Sequence, residues 1–252
     1  PRTNYLVPFF HGNKDINNNW AYICIEMGKI ICLIGAFDTK GVDYNFLREK
    51  ILSKGHGVFT VNTGVLGSTN LFPVDVETDK IVRAADGNLD NLREKKDRGE
   101  AMKIVSAGAA TLISALYREG KFDGIIGMGG SGGTSVITAA MRALPLGLPK
   151  VCVSTIASGD VSREVGTKDI TMIPSIVDVA GVNRVSNVIY SRAAGAICGM
   201  VDEEIITSNE EKPIITASMF GNTTESVNAC VVELTAKGYE LLVFHATGTG
   251  GK

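Results

Sequence analysis

An excess of charge of either sign is missing from this sequence: 25 basic side chains stand against 27 acidic ones, a net charge of −2, with no basic stripe. Nothing in that balance asks for a nucleic acid, whose phosphates demand a cationic face. Cysteine supplies no framework either. Cys24, Cys32, Cys152, Cys198 and Cys230 are odd in number, fall mostly within apolar runs and form no CxxC pair. That argues against a disulfide-stapled fold and a cysteine zinc site, and fits a reducing cytosol. No apolar stretch approaches the roughly 20 residues of a membrane span, and no signal-peptide pattern is visible. The expectation is a soluble, cytoplasmic protein with no metal site of its own and, at 252 residues, enough chain for a substantial core.

Glycine is plentiful and clustered. Phe122 to Ser135 reads FDGIIGMGGSGGTS, an apolar run expected as a buried strand over Phe122–Met128, then a glycine loop. After Ser135, Val136, Ile137, Ala140, Met141 and Leu144 recur at helical spacing. A strand feeding a helix through Gly127, Gly129, Gly130, Gly132 and Gly133 leaves backbone N–H groups uncovered above the helix N-terminus, a cradle for an anion and most often a phosphate.

Three motifs overlap here. Gly127, Gly129 and Gly132 satisfy GxGxxG, but the next strand, Lys150–Ser154, ends in Ser154 and Thr155 where a dinucleotide site wants an acidic residue. Gly127 and Gly132 are spaced as in GxxxxGK[ST], with Thr134 in the hydroxyl position, yet Gly133 stands where the lysine belongs. Gly129-Gly130-Ser131-Gly132-Gly133 satisfies GxSxG, the pattern of a nucleophile elbow. Alternatively the glycines serve only close packing of the helix on the sheet.

Along the chain, residues 1–26 hold the only Trp and an asparagine run without a clear period, and Met27 directly precedes GKIICLIGAFDTKG. They are expected to be an extension outside the fold. Residues 27–201 are expected to form a doubly wound α/β domain. Its strands are Ile30–Ala36, Gly57–Asn62, the run at 122–128, Lys150–Ser154 and Ile170–Ile173. A helix capped near Asp43 follows the loop Phe37–Gly41; another is capped by Asp97 with Glu100, and a third spans Arg184–Val201. Residues 63–98 form a long polar connection, functional or mobile by its length. The segments after three strands, Phe37–Gly41, Gly129–Thr134 and Thr155–Asp160, lie at carboxyl ends, where open parallel sheets bind ligands. Residues 202–212, with five acids, are the expected linker. From 213 to 252 the strand–helix–strand pattern restarts. Asn222 with Glu225 is the expected helix cap there, and the unit is too short to bury a core alone, so it is expected to be the start of an incomplete second domain and the chain a fragment.

These residues resemble the family of the tomato mosaic virus resistance protein, a plant inhibitor of tobamovirus RNA replication, and its uncharacterised bacterial and fungal relatives. The resemblance runs from about Ile30 to Gly251. It is carried by Asp38-Thr39-Lys40, Gly127–Ser135, Pro149-Lys150-Val151, Ser154–Gly159, Pro174–Asp178, Gly181-Val182-Asn183 and Phe244–Gly251. It implies two Rossmann-like domains, ATP binding, with or without magnesium, and a homodimer or other homo-oligomer. On that reading the nucleotide lies on Gly129, Gly130, Ser131, Gly132, Gly133, Thr134 and Ser135. Asp38, Thr39 and Lys40 line the same crevice, Lys40 supplying the missing positive charge, and Thr155 and Ser158 donate hydroxyls. Two other readings stay open. One is a serine hydrolase using Ser131 with an acid such as Asp178 and His245. The other is a scaffold that binds a protein partner, through a long loop such as 63–98.

Overall fold

The structure is a computed structural model that describes residues 28–205 and 212–247, with the backbone of Leu6–Pro8 (β1) and Tyr22–Cys24 (β2), which pair antiparallel. The central element is a five-stranded, all-parallel sheet. Its strands are β3 (Ile30–Gly35), β4 (Gly57–Asn62), β5 (Gly124–Gly129), β6 (Lys150–Ser154) and β7 (Thr171–Pro174), in spatial order β4-β3-β5-β6-β7. The chain runs to one edge and then reverses from the centre to the other. Right-handed crossovers therefore put helices on both faces, which makes the sheet doubly wound, as expected.

Strand residues alternate between the two faces. Ile31, Leu33, Ile126, Met128, Val151 and Val153 pack with Leu47 and Ile51 of α1 (Phe37–Leu52) and with Ala193 and Ile197 of α7 (Arg184–Asp202). Cys32, Ile34, Ile125 and Cys152 face α2 (Thr78–Arg83), α3 (Leu89–Lys95), α4 (Arg98–Arg118) and α5 (Ser131–Arg142). A near-continuous apolar strand is what a sheet covered on both faces requires.

The structure corrects several sequence expectations. The segment Phe37–Gly41 is the first turn of α1, kinked at Lys40 (φ −127°, ψ 22°). Asp43 is no cap: it is buried, accepting from Gly181 N–H (3.1 and 3.0 Å) and from Tyr190 Oη (3.1 Å). Tyr190 and Ser186 both lie on the buried side of α7. The connection 63–98 holds α2 and α3, and Val76 bridges to Val61 in parallel. The glycine loop is shorter than expected, since α5 begins at Ser131 and takes in Gly132–Ser135. A short α6 (Ser162–Val165) follows β6.

After 205 a second, two-stranded parallel sheet joins β8 (Ile214–Met219) to β9 (Glu240–His245) through α8 (Thr224–Ala236). Thr223 precedes α8 without a side-chain cap, so Asn222 does not cap it as expected. Residues 206–211, most of the expected linker, and 248–252 lie outside the described residues, as does most of 1–26.

Candidate functional site

Reversal of the strand order between β3 and β5 parts their carboxyl ends, and the crevice there is built from several loops. A cleft of about 770 Å³ is lined by Thr39 and Lys40 of α1, Gly130–Gly133, Arg98, Thr155, Ser158 and the segment Pro174–Asp178. Most of the expected site residues thus converge. Four do not line this cleft, Gly129 being the last residue of β5. Asp38 lines an adjoining lobe. Thr134 is buried, its hydroxyl 2.7 Å from Ser154 Oγ and 3.3 Å from the Gly129 carbonyl, so it ties α5 to the strand ends. Ser135 Oγ donates back to the Ser131 carbonyl at 3.1 Å.

The glycines divide by role. A β-carbon on Gly127 would lie 2.5 Å from Ile34 O and 2.8 Å from Ile137 Cγ2, and one on Gly129 would lie 3.0 Å from Gly133 Cα. Those two let α5 sit close on the sheet. Gly130 and Gly133 are open, with nothing nearer than Thr155 Oγ1 at 3.8 Å from the first and nothing within 4 Å of the second. None of these glycines has positive φ. The turn therefore does not demand them, and what they supply at Gly130 and Gly133 is bare backbone.

That backbone carries unused donors. Thr134 N–H already bonds the Gly130 carbonyl at 2.8 Å, but α5 has no side-chain cap and no acid in its first turn. The N–H groups of Ser131, Gly132 and Gly133 have no partner among the described residues, and the helix dipole adds partial positive charge there. The start of α1 differs, since Asn62 Oδ1 accepts from Phe37 N–H at 3.0 Å and Asp38 lies in its first turn.

Cations complete the wall. Lys40 Nζ donates to the Val179 carbonyl, leaving two of its three protons for a ligand. Arg98, which motif reading passed over as part of a helix start, makes no hydrogen bond or ion pair among the described residues. Its guanidinium lies 3.3 Å from where a Gly132 β-carbon would be. A cation in the first turn of a helix opposes the dipole of α4, and that local anomaly was its signal in the sequence. Across the cleft Ile176, 71% exposed, adopts φ 65° inside a γ-turn closed by Val177 N–H to Ser175 O at 2.7 Å. A β-branched residue in that region is strained.

Among the described residues the hydrolase geometry does not assemble. Ser131 is absent from the positive-φ residues, so the strained elbow is missing. His56 precedes β4, at the opposite end of the sheet, paired with Asp202 at 3.3 Å. His245 ends β9, its ring 6.2 Å from that of Phe220.

Residues 29–205 match the N-terminal domain of the uncharacterised protein family UPF0261, and residues 212–252 match its C-terminal domain. The chain is 45% identical over 226 residues to a UPF0261 protein of Clostridium tetani, covering 90% of this chain and 56% of that one. It is 37% identical over 246 residues to the ToMV resistance protein Tm-1(GCR237) of Solanum lycopersicum, covering 89% and 32%. The chain thus spans about half the length of the bacterial relatives it matches. Among solved structures, an S. aureus MnaA–UDP co-structure superposes with a TM-score of 0.38 at 11% identity, covering 89% of this chain and 64% of that one. Among the described residues, no helix is long and apolar enough to cross a membrane.

Proposed function

This chain belongs to the uncharacterised protein family UPF0261, and we propose that it binds a nucleoside triphosphate, ATP, with the phosphates on the first turn of α5. The observation that carries the reading is the set of three unpartnered N–H groups at Ser131, Gly132 and Gly133, open to a cleft of about 770 Å³. A pocket of that size suits a nucleotide. Arg98 and the spare protons of Lys40 supply the positive charge that Gly133 cannot. The hydroxyls of Thr39, Ser131, Thr155 and Ser158, which have no hydrogen-bond partner among the described residues, offer further donors. Magnesium would arrive on the phosphates, as it does where proteins contribute only one or two carboxylates, and Asp178 lines the cleft.

Binding, rather than a reaction, is what these residues support. Calorimetry against ATP, ADP and NAD, with and without magnesium, tests it. Gly130→Val should abolish ATP binding without unfolding the protein, because φ at Gly130 is −73° and a β-carbon has room there. Ser131→Ala keeps every backbone donor and should weaken binding by only about 0.5–1.5 kcal/mol. A fluorophosphonate probe that labelled Ser131 in a protein without nucleotide affinity would instead establish the hydrolase.

A further inference from the structure

Beside the cleft lies a second lobe of about 460 Å³, which shares Ala36, Thr39, Arg98 and Gly133 with it. One ligand can therefore run from one into the other. The two differ in chemistry: the cleft is lined mainly by hydroxyls, glycines, Lys40 and Arg98, whereas the lobe, which also takes in Arg93, Lys96 and Asp97, adds an apolar wall of Val65, Leu66, Leu92, Met102, Val105 and Val136. Leu66 is 76% exposed, an apolar side chain left at the edge of an apolar hollow.

One buried polar atom of that lining is not satisfied. Asp38 Oδ2 accepts from Leu66 N–H at 3.0 Å, while Asp38 Oδ1 is buried without a hydrogen-bond partner. A buried carboxylate oxygen without a donor is costly. The fold nonetheless makes room for it, because a β-carbon on Gly64 would lie 2.3 Å from that oxygen. An apolar wall beside a hungry acceptor suits a flat heteroaromatic ring that carries an N–H donor.

We propose that this lobe holds the base of the nucleotide and that Asp38 Oδ1 accepts a hydrogen bond from the exocyclic amino group of an aminopurine. Asp38 is then a specificity-determining residue, and Leu66 covers one face of the ring. This inference rests on the placement of the phosphates at α5.

The test separates the two. Calorimetric titrations use inorganic tripolyphosphate, ATP and purine riboside 5′-triphosphate, which lacks the amino group. Tripolyphosphate should bind weakly, ATP more tightly, and purine riboside triphosphate about tenfold less tightly than ATP, the loss of one hydrogen bond to a charged acceptor. Asp38→Asn, which retains an acceptor for Leu66 N–H, should shrink that tenfold gap and leave tripolyphosphate unaffected. Leu66→Ser, at an exposed position, should weaken ATP and not tripolyphosphate. Equal affinity for ATP and the purine analogue in the parent protein, with tripolyphosphate still binding, would overturn the base lobe and leave the phosphate site standing. Failure of both ATP and tripolyphosphate to bind would remove the phosphate site, and the base lobe with it.

Discussion

Gly35 and Tyr44 claim the same space: a β-carbon on Gly35 would lie 1.7 Å from Tyr44 Oη. The reason lies at the fork of the sheet. The β3–β5 ladder ends at Ile34 opposite Gly127, and beyond it the Tyr44 hydroxyl takes over. It accepts from Met128 N–H at 2.8 Å and sits 2.8 Å from Ile34 O and 2.6 Å from Met128 O, able to donate its one proton to either carbonyl. A tyrosine from α1 thereby satisfies the backbone where the strands part, and the crevice opens above it. Burial pushes the phenol well above its ordinary value of 10.0, so it keeps the proton that the carbonyls need.

Gly35→Ala should therefore cost about 1–3 kcal/mol by overpacking, and Tyr44→Phe about as much by orphaning Met128 N–H. Combined, the two should cost less than their sum, because losing the hydroxyl removes the nearest clash and the hydrogen bonds that pin the ring, whose Cζ and Cε2 would lie 2.1 and 2.6 Å from the new methyl and can then shift away. Urea denaturation of the four proteins measures the cycle. Strict additivity would mean that the two residues do not share this space.

Gly133→Ala should dissociate stability from binding. Nothing lies within 4 Å of a β-carbon there, and the position is helical, so alanine should stabilise by up to about 1 kcal/mol. The same methyl covers backbone that the phosphates are proposed to approach, so ATP affinity should fall. Gly129→Ala, whose β-carbon meets Gly133 Cα at 3.0 Å, should instead lose stability. A Gly133→Ala protein that binds ATP unchanged would argue against phosphate contact at that turn.

The strands of the main sheet were legible because each is an apolar run bounded by glycine or polar residues, and burial on both faces leaves such runs uninterrupted. The loops that converge on the cleft were legible for a topological reason, since each follows a strand of one parallel sheet. What failed was set by distant partners. Asp43 looks like a helix cap in its own neighbourhood, but its hydrogen-bond partner Tyr190 is 147 residues away. Helices α2 and α3 are 6 and 7 residues long, too short to show a period. The adjoining lobe was invisible because Asp38, Gly64 and Met102 come from three separate segments, and only folding brings them to one hollow.

Acid stability should depend on a buried lysine. Lys150 is fully buried and donates to Asp169 Oδ1 at 2.7 Å. Partial burial pushes the Asp169 carboxyl up, but the hydrogen bonds from Lys150 and Gly147, with the lysine charge, outweigh this and hold it below 3.8. A carboxyl depressed in the folded state stabilises above its unfolded value, and that contribution is lost as pH falls through the folded one. Lys150→Met should flatten the loss of stability below about pH 4 while costing at most about 1 kcal/mol at neutral pH, since Asp169 is 42% exposed. An unchanged acid limb in urea titrations would exclude the pair as its source.

Residues 214–245 should exchange their amide hydrogens fastest among the regular elements. Neither β8, α8 nor β9 has a buried residue, and Val232 and Ile214 are 70% and 59% exposed. Few buried contacts mean low-energy local opening. Protection there equal to that of Ile125 or Val151 would show that another surface covers this sheet.

Arg98 should show the sharpest conflict between folding and binding. It is the first residue of α4, directly after the cap Asp97, whose side chain accepts from Gly99 and Glu100 N–H. A cation at that end opposes the helix dipole, and no carboxylate among the described residues pairs with it, Glu100 of the same turn being paired with Lys95. Arg98→Ala should therefore stabilise α4 by about 0.3–1 kcal/mol, and Arg98→Glu by somewhat more. If the guanidinium meets phosphate, Arg98→Ala should weaken ATP about tenfold or more, because charged hydrogen bonds contribute about 1.5–3 kcal/mol each. Arg98→Lys should recover part of the charge but not the two-pronged contact. The salt dependence of ATP affinity should also become shallower in Arg98→Ala, a change that a merely structural arginine would not cause. Thermal denaturation and calorimetry on the same preparations give both readings. A variant that is destabilised and binds ATP with unchanged affinity and salt dependence would place Arg98 in the fold and not in the site.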